Sequence, residues 1–163
     1  MTASSMVLEP CRLDDPPAHG AVLVSRIVEL HGDQSTIQSS IRLARLFIRT
    51  TATALCWPGD VLWAVEVGAR LVSNGLRHGM PAWTPRSERR LVLSVAVTDT
   101  DALVIDVSDM NPLFPDFPAA ARGEKGRGLQ QVALLGARVE WFLPHVGVGK
   151  TVRAVMPLHP HHL

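Results

Sequence analysis

The chain is poor in the features that mark several common protein classes. It has only two cysteines, Cys11 and Cys56, among 163 residues. They lack metal-ligand spacing and indicate no disulfide framework, which points to a reducing cytoplasm. The net charge is only +1, which argues against a general polyanion binder and against direct contact with nucleic acid. Apolar runs are short and broken by charge, so no membrane-spanning helix is expected. The opening stretch, MTASSMVLEPCRLDDPP, lacks a basic start followed by an apolar run, so no signal peptide is expected. There is no Gly-x-x-x-x-Gly-Lys-Ser/Thr loop, no paired-cysteine site and no serine nucleophile elbow.

What is present suffices for one domain. Hydrophobic residues make up 47% and charged residues 19%, so a real core is possible and wholesale disorder is not expected. Residues 1–20 show no periodicity and read as a flexible tail. Residues 21–158 carry the folded domain. Residues 159–163, HPHHL, form a short tail, too short to read as a metal site.

The chain is organised around residues 60–79, DVLWAVEVGARLVSNGLRHG. Leu62, Val65, Ala69, Val72 and Leu76 recur at spacings of three and four, one apolar stripe of an amphipathic helix. Asp60 follows Pro58-Gly59 and suits the N-cap. Glu66, Arg70, Asn74 and Arg77 project from the other side. His78 and Gly79 end the helix, where a histidine is usually a simple C-terminal charge partner.

The remaining elements follow in order. Residues 22–30 read as a strand. A helix capped by Asp33 or Ser35 runs to about residue 55, with Ile37, Ile41, Ala44 and Ile48 inward and the stripe widened by Leu43 and Phe47. Arg42, Arg45 and Arg49 line another of its faces, either a solvated surface or a docking surface for an acidic protein. Residues 91–97 and 102–107 are strands whose four-residue join predicts an antiparallel hairpin. Residues 110–125 hold three prolines and no clear period, as expected of a functional lid or a disordered loop. A short helix from Gly126 to about residue 135 turns Leu129, Val132 and Ala133 inward and ends at Gly136. Residues 138–142 and 150–156 are the final strands. This order fits an α+β two-layer sandwich, a mixed, mostly antiparallel sheet with three helices on one face.

Four motifs lie in order along this framework: Asn74 in the organising helix, Asp109-Met110-Asn111-Pro112-Leu113-Phe114-Pro115, Gly126-Arg127-Gly128-Leu129, and Gly149-Lys150-Thr151-Val152. With them the chain resembles the histidine-kinase-like (GHKL) ATPase superfamily over residues 22–158. Within it the likeness is to single-domain anti-sigma-factor kinases of the RsbW/SpoIIAB type. The resemblance implies the two-layer Bergerat-type ATP-binding fold, with ATP and Mg2+ as cofactors. It implies a partner that is a sigma factor, an anti-anti-sigma factor or another transcription regulator, and homodimers occur in the family. In that class the protein holds a sigma factor inactive and phosphorylates a Ser or Thr of an antagonist.

The resemblance also implies roles. Asn74 would hold the magnesium ion that bridges the phosphates, a role suited to a hard amide oxygen; alone it reads as a helix-surface or cap-related Asn. Asp109 would accept a hydrogen bond from the adenine amino group; alone it reads as a strand-end turn cap. Gly126, Arg127, Gly128 and Leu129 would present backbone N–H groups to the phosphates, with charge from Lys125 and Arg127. Thr151 would lie beneath the adenine pocket. The family usually has a Glu one turn before the Asn, as general base or orienting group. This chain has Arg70 there, which cannot accept a proton. Glu66 lies two turns from Asn74, about 12 Å along the axis. The sequence therefore names no catalytic residue. Two further readings stay open: a kinase-inactive regulator that works by protein contact, and a detached histidine-kinase catalytic domain, for which the chain has no clear His-bearing dimerisation helix.

Overall fold

The computed structural model describes residues 22–31, 37–113, 117, 119, 122, 128–143 and 149–158. Its described elements are β1 (Val22–His31), α1 (Ile37–Ala54), α2 (Val61–His78), a 3-10 turn at Arg86–Glu88, β2 (Arg90–Thr98), β3 (Leu103–Asp109), α3 (Gly128–Leu134), β4 (Arg138–Phe142) and β5 (Lys150–Met156). The strands form one five-stranded sheet in the order β1-β2-β3-β5-β4. Every described pairing is antiparallel. The protein is an α+β two-layer sandwich. The expected tails, the caps Asp33 and Ser35, and most of the expected lid lie outside the described residues.

The β2–β3 hairpin forms as the short join predicts. Asp101 takes a positive φ of 59° in the turn, and the Thr98 N–H donates to the Ala102 carbonyl at 3.0 Å. Strand alternation then sorts the side chains. Leu91, Leu93, Val95, Leu103, Ile105, Val107, Val152, Ala154 and Met156 join the core beneath the helices. The opposite face carries Ala96, Val104 and Val155. It also carries an ion pair in which Arg153 donates twice to Asp106, at 2.8 Å each.

Helix α2 spans the predicted residues. The Asp60 side chain accepts from the Trp63 N–H as its N-cap, and Gly79 closes the C-terminal end. Of the expected stripe, Ala69, Val72 and Leu76 are buried and Val65 packs against the core, while the buried face is wider than that stripe and leaves out Leu62. Leu62 is 70% exposed, whereas Ala64, Val67, Gly68, Leu71, Val72, Gly75 and Leu76 are buried. The inner face is marked by small residues, because the helix lies tight on its neighbours. A Cβ on Gly68 would be 2.0 Å from Ile48 Cδ1, and one on Gly75 would be 2.9 Å from Leu91 Cδ2. Counting large apolar residues misses a contact face built of Gly and Ala.

Similar corrections apply to the other helices. In α1, Ala44 and Ile48 are buried as expected, but Leu43 is 39% exposed, and Ser40, Thr51 and Ala52 are buried instead. In α3, Leu129 and Val132 face inward and Ala133 is exposed. The helix ends within two turns, and Gly136 at φ +86° redirects the chain so that Ala137 enters the core.

Candidate functional site

The C-terminal end of α2 and the end of β3 meet at Asp109. Asp109 is the last residue of β3 and is almost wholly buried. The Met110 N–H donates to the Gly79 carbonyl at 3.1 Å, tying the strand end to the helix end. A Cβ on Gly79 would lie 2.4 Å from Asp109 Oδ2. Gly149 closes the other side: it sits at φ +110°, and a Cβ there would be 1.9 Å from the Asp109 carbonyl oxygen. Two glycines far apart in sequence are thus required by one residue.

Asp109 is paired with Lys150 across the β3–β5 ladder. The Lys150 ammonium donates to Oδ1 at 3.1 Å and to the Asn111 carbonyl at 3.0 Å, and it lies 2.9 Å from Oδ2 in an ion pair. The Asn111 N–H also donates to Asp109 Oδ1, at 3.0 Å. Burial pushes the Asp109 carboxyl up to about 6 from an ordinary 3.8, against the pull of the Lys150 ammonium and the backbone N–H groups of Asn111 and Lys150. Desolvation outweighs the ion pair. The carboxyl is therefore mainly ionised at neutral pH, close to its titration range.

Thr151 is not brought to Asp109. Its hydroxyl shares a 2.8 Å hydrogen bond with Ser108, on the sheet face opposite the helices. The pleat makes the choice: neighbours along a strand face opposite sides, so Lys150 takes the inward position. A basic residue between Gly149 and Thr151 is visible in the sequence, but its register with Asp109 is not.

Asn74 projects from α2 about five residues before Gly79, roughly 7.5 Å along the helix axis. It is half-buried, and its carboxamide has no hydrogen-bond partner among the described residues. Arg70 lies one turn earlier; its Nε is buried without a partner among the described residues, and its Nη2 is 3.9 Å from Glu66 Oε2. Glu66 is also held by Arg45 of α1. The Arg45 hydrogen bond is the main cause that holds the Glu66 carboxyl below its usual range, with smaller help from the charges of Arg45 and Arg70. Glu66 is an ionised structural partner of two arginines. That leaves it poorly suited to act as a base. His78 is exposed.

Of the expected phosphate turn, Gly128 and Leu129 open α3, while Lys125, Gly126 and Arg127 lie outside the described residues. Leu129 is buried against the core. A Cβ on Gly128 would meet nothing within 4 Å, so packing does not demand glycine there. An open depression of about 410 Å³ lies at the edge near β2, lined by Glu88, Arg90, Val92, Ser108, Asp109 and Met110. It does not include Asn74. Among the described residues no group of His, Cys, Asp and Glu could hold a metal ion, and no helix is long and apolar enough to cross a membrane.

No protein-family model and no curated protein matches the chain. Among solved structures, it is similar to the histidine kinase domain of the blue-light activated histidine kinase from Erythrobacter litoralis EL346. The likeness has 24% identity, covers 61% of this chain and 46% of that one, and has a TM-score of 0.45. A second structure of that blue-light activated kinase matches at 21% identity, covering 61% and 32% of the two chains, with a TM-score of 0.46. The match spans less than half the length of either kinase structure, and no residue role follows from likeness at this level.

Proposed function

We propose that the protein is a nucleotide-binding regulator of the histidine-kinase-like ATPase superfamily, of the anti-sigma-factor/serine-protein-kinase type. It controls transcription in the cytoplasm, as a monomer or a homodimer, through a sigma factor, an anti-anti-sigma factor or another regulator. The observation that carries this reading is the buried Asp109 at the junction of β3, the end of α2 and Gly149. A buried carboxylate, with Gly79 close against its side chain and Gly149 close against its main-chain carbonyl, is costly to maintain as a mere turn cap. It is the group that the resemblance assigns to adenine.

The residues fit ATP and Mg2+ in part. Asn74 offers a half-buried amide oxygen without a competing partner among the described residues, a suitable magnesium ligand. Gly128 and Leu129 place a helix N-terminus where backbone N–H groups favour an anion. Asp109 has the right chemistry, but its oxygens are engaged by Lys150. Bound magnesium would neutralise phosphate charge; the chain's own groups would orient the base and the phosphates.

A second reading, a regulator without kinase activity, is favoured by Arg70 and Glu66. Arg70 stands where a base is usual, and Glu66 is neutralised by Arg45 and Arg70. Protein contact alone then carries the function.

Calorimetric titration of the purified protein with ATP, with and without Mg2+, tests the nucleotide reading. Binding that magnesium strengthens and Asn74→Ala weakens supports it. No binding at millimolar ATP overturns it.

A further inference from the structure

The Asp109–Lys150 pair is shielded on every side. The two side chains are 2% and 4% exposed respectively. The Lys150 ammonium donates to Asp109 Oδ1 and to the Asn111 carbonyl, and it lies 2.9 Å from Asp109 Oδ2 in an ion pair. Oδ1 also accepts from the Asn111 N–H. Oδ2 faces Gly79, where even a Cβ would be 2.4 Å away. While Lys150 is in place, neither oxygen has an approach left for the amino group of a base.

We infer that Lys150 is an internal occupant of the base-recognising carboxylate, so that an adenine nucleotide reaches Asp109 only when Lys150 withdraws. The inference rests on the nucleotide reading above. Three features make Lys150 suited to the role. Its four-carbon stem is flexible, so the ammonium can leave without moving β5. Its partner stays buried when it leaves, so separation uncovers an unpaired charge and lowers the net affinity for nucleotide. It also holds the Asn111 carbonyl, so its withdrawal releases the chain leaving β3 as well as the carboxylate. Lys150 thereby sets the affinity threshold and couples base binding to the segment after β3.

The test is calorimetric titration of the full chain with ATP and with inosine triphosphate, which lacks the 6-amino group. It compares wild type, Lys150→Met and the double variant Asp109→Asn/Lys150→Met. Lys150→Met is expected to bind ATP about tenfold more tightly than wild type. The gain is absent for inosine triphosphate and lost in the double variant, a selectivity that a merely structural lysine would not produce. If wild type binds ATP and Lys150→Met binds it equally or more weakly, the inference is wrong and the nucleotide reading stands. If neither binds ATP at millimolar concentration, the nucleotide reading falls and the inference falls with it. Circular dichroism checks the fold; should Lys150→Met not fold, Lys150→Gln, which keeps a polar donor for the Asn111 carbonyl, takes its place with the same expected outcomes.

Discussion

Gly79, the C-terminal cap of α2, lies against Asp109 so closely that a Cβ at position 79 would be 2.4 Å from Oδ2 and 2.5 Å from the Asp109 Cβ. Its φ of −90° is open to any residue, so the demand for glycine is steric. Gly79→Ala should therefore destabilise the protein by about 1–3 kcal/mol through overpacking. Urea denaturation measures it, and an unchanged midpoint would contradict the close approach.

Gly68→Ala tests the seat of α2 on α1. The added methyl would sit 2.0 Å from Ile48 Cδ1, and the expected cost is again about 1–3 kcal/mol. Ile48→Val removes the clashing Cδ1. The double variant should recover part of the loss, a coupling that a double-mutant cycle reads directly. Strict additivity would place the two side chains apart.

The burial along α2 predicts unequal costs within its expected apolar stripe. Leu62 is 70% exposed, while Val72 is fully buried. Leu62→Gln should change stability by less than about 0.5 kcal/mol. Val72→Ala should cost on the order of 1–3 kcal/mol through the cavity it leaves. Thermal unfolding of the two variants distinguishes them, and equal losses would return Leu62 to the buried stripe.

Asp109 predicts an unusual dependence of stability on pH. Its carboxyl titrates near 6 in the folded protein and near 3.8 when unfolded, so between these values the folded state binds more protons. The stability this group contributes is full below the lower value and is lost as pH rises through the upper one. Asp109→Asn/Lys150→Met removes the titrating carboxyl. Relative to this double variant, wild type should lose stability from about pH 4 to pH 6. Parallel denaturation profiles would refute the assignment.

Glu66 is held by Arg45 and Arg70 at a surface where all three side chains are about two-fifths exposed. Exposed pairs contribute little, so Glu66→Gln should cost less than about 1 kcal/mol. It should also leave any ATP hydrolysis unchanged. Arg70→Glu restores an acid one turn before Asn74, and hydrolysis should rise above the wild-type level. Robust turnover in wild type that Glu66→Gln abolishes would make Glu66 the base after all.

Local chemistry alone determined a large part of this protein. The β2–β3 hairpin, the span of α2, its Asp60 cap and the Gly136 stop were legible because each depends on residues only a few positions apart. The last two strands were legible for the same reason. The tertiary structure alone decided that the buried face of α2 extends to Ala64, Gly68 and Gly75 and leaves out Leu62, because Gly and Ala mark a close contact only once the neighbour is in place. It also decided that β5 lies between β3 and β4, and that Lys150 rather than Thr151 meets Asp109. The residues of that pair are 41 positions apart. Their meeting depends on sheet register, where a shift of one residue turns every side chain to the other face.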